Sequence, residues 1–109
     1  MLFFVKAELA EQPPMPREQF LGMMASTWQV IKQLENNGKV RAGGALIGQR
    51  AGVVIVDVDS NEELSDLLNR LPLSAYLRWD VVPMIPADRA LDSAKWALQQ
   101  LALAETRSG

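Results

Sequence analysis

Charged residues alternate along two segments of the chain, and their types are those that proton-transfer chemistry uses. Lys6 and Glu8 lie two positions apart near the start, and Arg78 and Asp80 lie two apart in a later segment. Residues two apart point to the same face of a β-strand. Together with Tyr76 they predict a polar pocket in which Glu8 or Asp80 acts as a general base. In this pocket Tyr76 is predicted to donate its hydroxyl to a developing enolate.

Cations and aromatic side chains supply the candidates for substrate binding. Lys6 and Arg41 are predicted to hold an anionic substrate, because a guanidinium group binds a carboxylate through two parallel hydrogen bonds. Arg78 adds a further positive charge to the same strand face. Phe4 and Trp28 are predicted to line the pocket with apolar surface.

Each of these residues also has a structural explanation. The charged residues can instead form ion pairs on neighbouring strands at a subunit interface, Lys6 with Glu8 and Arg78 with Asp80, where each pair contributes little stability. Arg41 can be a solvated strand end. The aromatic candidates, Tyr76 and Trp28, can be packing residues.

The composition excludes several classes of site. The chain of 109 residues contains no cysteine, so disulfides, thiolate metal sites and cysteine nucleophiles are absent. It also contains no histidine, the commonest metal ligand and general base at neutral pH. The Lys and Arg residues are scattered and the net charge is −2, which argues against a nucleic-acid partner. We therefore expect no metal site and no nucleic-acid binding.

The hydropathy of the chain gives no sign of a membrane partner. No segment approaches the roughly 20 apolar residues that a membrane span needs. The short apolar run at the start lacks the basic region and cleavage site of a secretory signal. The sequence therefore predicts a soluble cytoplasmic protein.

Hydrophobic periodicity predicts the order strand, helix, strand, strand, helix, strand, helix. The predicted bounds are about 2–9, 17–37, 40–49, 53–58, 61–71, 76–84 and 88–105. This order is that of the ferredoxin-like βαββαβ fold, of class α+β, with an additional C-terminal helix. Two helices should cover one face of a four-stranded antiparallel sheet. We expect residues 1–86 to form this domain and residues 87–109 to form the added helix and tail.

Three local signals support these elements. Ser60 followed by Glu63 is the pattern of a capping box at a helix start. Gly38 is suited to the left-handed turn after a helix. Gly43 and Gly44, adjacent in a strand, predict a bulge or a close approach of the backbone.

The predicted sheet has one face that no helix covers. An exposed apolar face of this size normally has a partner, so a homo-oligomer is expected, with a pocket enclosed between the sheets of two subunits. The C-terminal helix carries its own apolar stripe and is predicted to pack on a neighbouring subunit.

Two short motifs at this spacing resemble the muconolactone isomerase family of small enzymes. The first is Met1-Leu2-Phe3-Phe4-Val5-Lys6, and the second is Leu71-Pro72-Leu73-Ser74-Ala75-Tyr76. The resemblance covers residues 1–86 and extends to Leu34, Gly38, Arg41, Gly48, Asp57, Val58 and Leu64.

This resemblance implies a ferredoxin-like subunit in a tight oligomer of the dimeric α/β-barrel type. It also implies an enzyme of aromatic degradation that moves a proton within an unsaturated lactone and uses no cofactor or metal. Lys6 and Arg41 match the family pattern. The departures are a family histidine at Phe4, a family acid near Thr27, a family lysine at Trp28 and a second family histidine near Gln49.

Three functions follow as hypotheses. The first is a cofactor-free isomerase acting on a small carboxylated lactone or enol. The second is a small-ligand-binding or structural oligomer that kept the fold without the acid–base residues. The third is a cofactor-independent monooxygenase of the same architecture, for which the absence of histidine disfavours haem ligation.

Overall fold

Four strands form one antiparallel sheet in the computed structural model, which describes residues 1–108 of the chain. The strands are β1 (Leu2–Leu9), β2 (Val40–Ala45), β3 (Ala51–Asp57) and β4 (Leu77–Met84), in the spatial order β2-β3-β1-β4. The helices are α1 (Arg17–Asn36), α2 (Asn61–Asn69) and α3 (Ala87–Ser108). This confirms the α+β, ferredoxin-like fold predicted from the sequence.

The core lies between one face of the sheet and the first two helices. Alternation along β1 turns Phe3 and Val5 to this face, and Val5 is only 1% exposed. Val56 of β3 is completely buried beside them, and α2 contributes Leu64 and Leu68. The β-branched residues of β3 suit a strand whose inner face is covered.

The local signals at the helix ends are confirmed. The Ser60 hydroxyl accepts a hydrogen bond from the Glu63 backbone N–H at 3.0 Å, which caps α2. The Glu63 side chain accepts in turn from the backbone N–H of Asp59, one residue before the cap, at 2.9 Å. Gly38, with φ of +83°, forms the left-handed turn after α1.

Three predicted strands have different bounds in the structure. The third spans Ala51–Asp57 rather than 53–58. The final strand begins at Leu77, because the Tyr76 N–H bonds the carbonyl of Leu73 and so closes a 3₁₀ turn over Ser74–Tyr76. The second strand ends at Ala45 rather than near 49. The intervening residues form a hairpin loop in which Gly48 has φ of +80°.

The outer face of the sheet is not covered by a helix, and its part around Phe4 is apolar. Phe4 and Ile55 lie opposite each other on it, and Val82 pairs with Phe4 from the other side. Val82 is 45% exposed and the neighbouring Met84 is 41% exposed. This part of the face is therefore apolar surface in contact with solvent in the single chain.

α3 extends away from the sheet and gives the molecule its longest dimension of 73 Å. All residues from 81 to 107 are exposed. Leu91, Leu98 and Leu101 lie on one stripe of the helix with heptad-like spacing, and Leu98 is 67% exposed. Trp96 lies on the opposite side of the same helix.

The close backbone approach predicted for the glycine pair occurs at Gly43, whereas the irregularity of β2 lies before the pair. The register of β2 against β3 shifts between Val40 and Ala42. A Cβ at Gly43 would lie 2.7 Å from Val54 Cγ1 and 2.8 Å from the Val53 carbonyl oxygen, so only glycine fits there. A Cβ at Gly44 would meet nothing within 4 Å.

We expect Gly43→Ala to lower the free energy of unfolding by about 1–3 kcal/mol, because the new methyl group must displace backbone of β3. Gly44→Ala is the matched control and should change stability by less than about 0.5 kcal/mol. Chemical denaturation followed by circular dichroism measures both. Equal effects of the two substitutions would contradict the close approach of β3 at Gly43.

Candidate functional site

A cavity of about 360 Å³ lies between α1 and the inner face of the sheet. α1 contributes one face to it, at spacings of three and four residues. The α1 residues on this face are Phe20, Met24, Thr27, Trp28 and Ile31. The volume is within the range of small-molecule sites in proteins.

The Trp28 indole forms a wall of the cavity against Gly52 of β3. A Cβ at Gly52 would lie 3.0 Å from Trp28 Cη2 and 3.2 Å from Cζ2. Glycine at this strand position therefore provides the space that the indole occupies. Trp79 of β4 is a second tryptophan in the lining.

Thr27 is the buried polar residue of the lining, and its hydroxyl is fully used. It donates to the carbonyl of Met23 at 2.9 Å and accepts from the backbone N–H of Leu73 at 3.3 Å. The second bond ties α1 to the Leu71–Leu73 segment that follows α2. Among the described residues no buried side-chain nitrogen or oxygen lacks a partner.

Polar side chains gather at the cavity mouth. Arg17 begins α1, Gln12 precedes it, and Gln49 and Arg50 come from the β2–β3 loop. All four are exposed, and Arg50 Nη1 donates to Gln12 Oε1 at 3.1 Å. No aspartate or glutamate lines the cavity within residues 1–108. The mouth is therefore positively charged and suited to an anion.

The predicted polar residues of the two strands lie on the other face of the sheet. Lys6 of β1 is opposite Asp80 of β4, and Glu8 is opposite Arg78. Each charged residue thus has a residue of opposite charge beside it on the neighbouring strand. No pair among these four approaches within 4 Å in the part of the chain that the structure describes. Ion pairing of these residues across a subunit interface stays a prediction. The structure thus brings the predicted catalytic carboxylates together on one face, but outside the cavity.

Tyr76 is separated from Glu8 and Asp80 by its position in the 3₁₀ turn. Its side chain borders an open groove together with Pro13, Pro14 and Arg78. Neither predicted base lines this groove. The expectation that Tyr76 shares a strand face with them is wrong, because Tyr76 belongs to the 3₁₀ turn and β4 begins only at Leu77.

The two predicted aromatic lining residues lie on opposite faces of the sheet. Trp28 lines the cavity, whereas Phe4 faces outward between Ile55 and Val82. They do not border one common site in the single chain. Their roles in substrate binding remain predictions.

Arg41 binds a carboxylate of the protein itself. Its Nε and Nη2 both donate to Asp57 Oδ2, the first at 3.0 Å. The N-terminal ammonium group lies 3.5 Å from the other carboxylate oxygen. Asp57 pairs with Leu2 whereas Val53 pairs with Lys6, so four residues of strand, roughly 13 Å, separate this cluster from Lys6. The two predicted anion-binding cations are not brought together.

Sequence reasoning missed the four polar residues of the mouth. Arg17 and Arg50 are far apart in sequence and lie at a helix start and in a hairpin loop. The order of the elements could have indicated this site, because an antiparallel pairing of β1 with β3 brings the end of β1, the start of α1 and the β2–β3 loop to one end of the sheet.

Within residues 1–108 no three His, Cys, Asp or Glu side chains are grouped as a metal site would require. No helix in the same region combines the length and apolar character needed to cross a membrane.

A four-stranded antiparallel sheet with a cavity beneath its first helix places this chain among the ferredoxin-like α+β proteins. Residues 1–88 match the family model for muconolactone delta-isomerase. The chain belongs to the muconolactone delta-isomerase family. The resemblance seen in the opening and Leu71–Tyr76 motifs is thereby confirmed.

The individual relatives agree with this assignment. The muconolactone delta-isomerase of Acinetobacter baylyi is 32% identical over 84 residues, covering 77% of this chain and 88% of the relative. That of Cupriavidus pinatubonensis is also 32% identical, covering 77% and 91%. The crystal structure of a muconolactone isomerase superposes with a TM-score of 0.72 at 28% identity, over 79% of this chain and 90% of the other. Nearly all of α3 lies beyond the matched residues.

The Arg41 contact should be visible in the titration of Asp57. Hydrogen bonding to Arg41 lowers the pKa of this carboxyl below its usual value, and partial burial opposes the effect. A lowered folded-state pKa stabilises the protein above the unfolded-state pKa, and this stabilisation is lost as the pH falls through the folded value. We expect Arg41→Gln to raise the Asp57 pKa toward its ordinary value, as followed by carboxyl NMR.

Arg70→Gln is the control, since Arg70 forms no ion pair with Asp57. It should leave the Asp57 titration where it is in the wild type. An unchanged Asp57 pKa in Arg41→Gln would show that the contact does not persist in solution.

Proposed function

We propose that this protein is a cofactor-free isomerase that moves a proton within a small carboxylated lactone or enol bound in the cavity beneath α1. The observation that carries the proposal is an apolar cavity with two arginines at its mouth, in a chain of the muconolactone delta-isomerase family. The named activity of the relatives is consistent with this reaction class.

The mouth supports binding of the substrate carboxylate. Arg50 and Arg17 offer guanidinium groups that match a carboxylate with paired hydrogen bonds. The bond from Arg50 to Gln12 restricts its side chain before substrate arrives, which lowers the entropic cost of binding. The apolar walls behind the mouth exclude water and strengthen electrostatic interactions inside.

The reaction needs a base to take a proton next to a carbonyl and an acid to return it elsewhere. Positive charge at the mouth would stabilise the dienolate formed between these steps. The cavity lining of the described chain supplies this charge but no carboxylate. Glu8 and Asp80, the bases predicted from the sequence, lie on the outer face of the sheet and could reach only a substrate bound on that face.

Arg50→Gln should raise the KM for muconolactone at least about tenfold, since a charge-assisted hydrogen bond to the substrate carboxylate is lost. Ultraviolet absorbance follows turnover. Glu8→Gln and Asp80→Asn test for a base on the outer face, and both should leave kcat unchanged if the substrate reacts in the cavity. Loss of kcat in one of them would place the reaction on the outer face and contradict the cavity as the site. A normal KM in Arg50→Gln would contradict binding at the cavity mouth.

A second candidate function is non-catalytic binding of the same kind of anion. The absence of Asp, Glu, Lys and Tyr from the cavity lining of residues 1–108 favours it. It predicts that the wild type binds muconolactone without converting it. Measured binding with no turnover, in protein of intact oligomeric state, would select this function over the isomerase.

We also propose that the protein works as a homo-oligomer. The apolar part of the outer sheet face and the leucine stripe of α3 are both exposed in the single chain, and contiguous exposed apolar surface of this kind normally has a partner. The charges on the outer face are balanced, since Lys6 and Arg78 accompany Glu8 and Asp80. Such a face can oppose a second copy of itself without net repulsion.

Leu98→Asp should shift the protein toward smaller species, because it places a carboxylate in the α3 stripe. Gln100→Asp is the matched control on the opposite side of the same helix and should leave the assembly unchanged. Sedimentation velocity distinguishes the species. A monomeric wild type, or equal effects of the two substitutions, would overturn the role of α3.

A further inference from the structure

The polar and apolar groups of the cavity are sharply separated. The side chains behind the mouth are apolar, and Val5, Phe20, Val54, Leu71 and Leu73 among them are buried. The one buried hydroxyl in the lining has both its donor and an acceptor position occupied within the protein. Apart from the indole N–H groups of Trp28 and Trp79, the described residues at this depth offer a ligand oxygen no free side-chain donor to replace its hydration.

Hydrogen-bonding capacity remains at the mouth. Arg17, Gln49 and Arg50 are exposed there, and Arg50 makes its one side-chain bond to a neutral amide rather than to a carboxylate. A complementary ligand therefore has its charge at one end and an apolar body at the other. Muconolactone, by contrast, is a compact acid with oxygen atoms on both of its halves.

The shape of the cavity points the same way. Trp28 and Trp79 both border it, and Gly52 keeps the Trp28 indole close to the sheet, so the aromatic side chain forms a wall without filling the space. A volume of about 360 Å³ admits a ligand with a substantial hydrocarbon part. A ligand without a hydrocarbon part would leave the apolar walls in contact with water and would lose the free energy gained by burying them.

We propose that the ligand of this cavity is an amphiphilic carboxylate, a lactone or enol acid that carries an extended alkyl or aryl substituent. The carboxylate lies at Arg50 and Arg17, and the substituent lies against Trp28 and the buried aliphatic residues. This inference rests on the proposed function for the location of the site, and it adds the class of substrate.

The probes are straight-chain carboxylates from butanoate to decanoate, together with octanamide and muconolactone. Binding is followed by tryptophan fluorescence in the full chain carrying Trp96→Phe, which leaves Trp28 and Trp79 as reporters at the cavity. Isothermal titration calorimetry of the wild type gives the same constants without any substitution. We expect affinity to rise about three- to fourfold per methylene until the cavity is filled.

Two further results are expected. Octanoate should bind at least about tenfold more tightly than muconolactone and than octanamide, and Arg50→Gln should remove the preference for the acid over the amide. Gly52→Ala forces the indole toward the cavity and should weaken octanoate binding at least about fivefold. Gly44→Ala, in the neighbouring strand, is the control and should not change it.

The outcomes separate this inference from the proposed function. Tighter binding of muconolactone than of octanoate, weakened by both Gly52→Ala and Arg50→Gln, would overturn the substrate class and leave the cavity as the site. Octanamide binding as tightly as octanoate would overturn the role of the arginines. Binding of every probe unaffected by Gly52→Ala and Arg50→Gln would remove the site from the cavity and overturn both proposals.

Discussion

The register of β1 between β3 and β4 is the constraint on which the arrangement of this protein depends. β1 and β3 are the two strands with partners on both sides, and β1 joins β3 to β4, so its register decides which residues of these three strands share a face. Phe3 and Val5 face the helices, while Phe4, Lys6 and Glu8 face outward. A shift by one residue would exchange the two sets and bury charges beneath α1. The burial of the core therefore fixes the positions of the charged residues as well.

This constraint explains how far the sequence could predict the fold. The alternation in β1 and β4 correctly indicated the two faces, and the Ser60–Glu63 pair correctly indicated the start of α2. Gly43 indicated a close backbone approach because few other reasons favour adjacent glycines in a strand. These features are local, and each has a short-range physical cause that neighbouring residues reveal.

The cavity had no such local signal. Its existence depends on the distance between α1 and the sheet, which the contact between Thr27 and Leu73 helps to set across 46 residues of sequence. Its mouth depends on two connecting segments, β1–α1 and β2–β3, that meet only in the folded chain. Tyr76 was placed on a strand face because alternation cannot distinguish the last residue of a 3₁₀ turn from the first residue of a strand.

The contact between Trp28 and Gly52 has a consequence for how proteins of this fold diversify. The two positions lie on different elements, yet the space available to one is set by the size of the other. A smaller residue at the helix position together with a larger one at the strand position would exchange volume between the two walls while the backbone stays in place. Paired substitutions at these two positions can thus change the size of ligand that the cavity accepts, without changing the residues that stabilise the sheet.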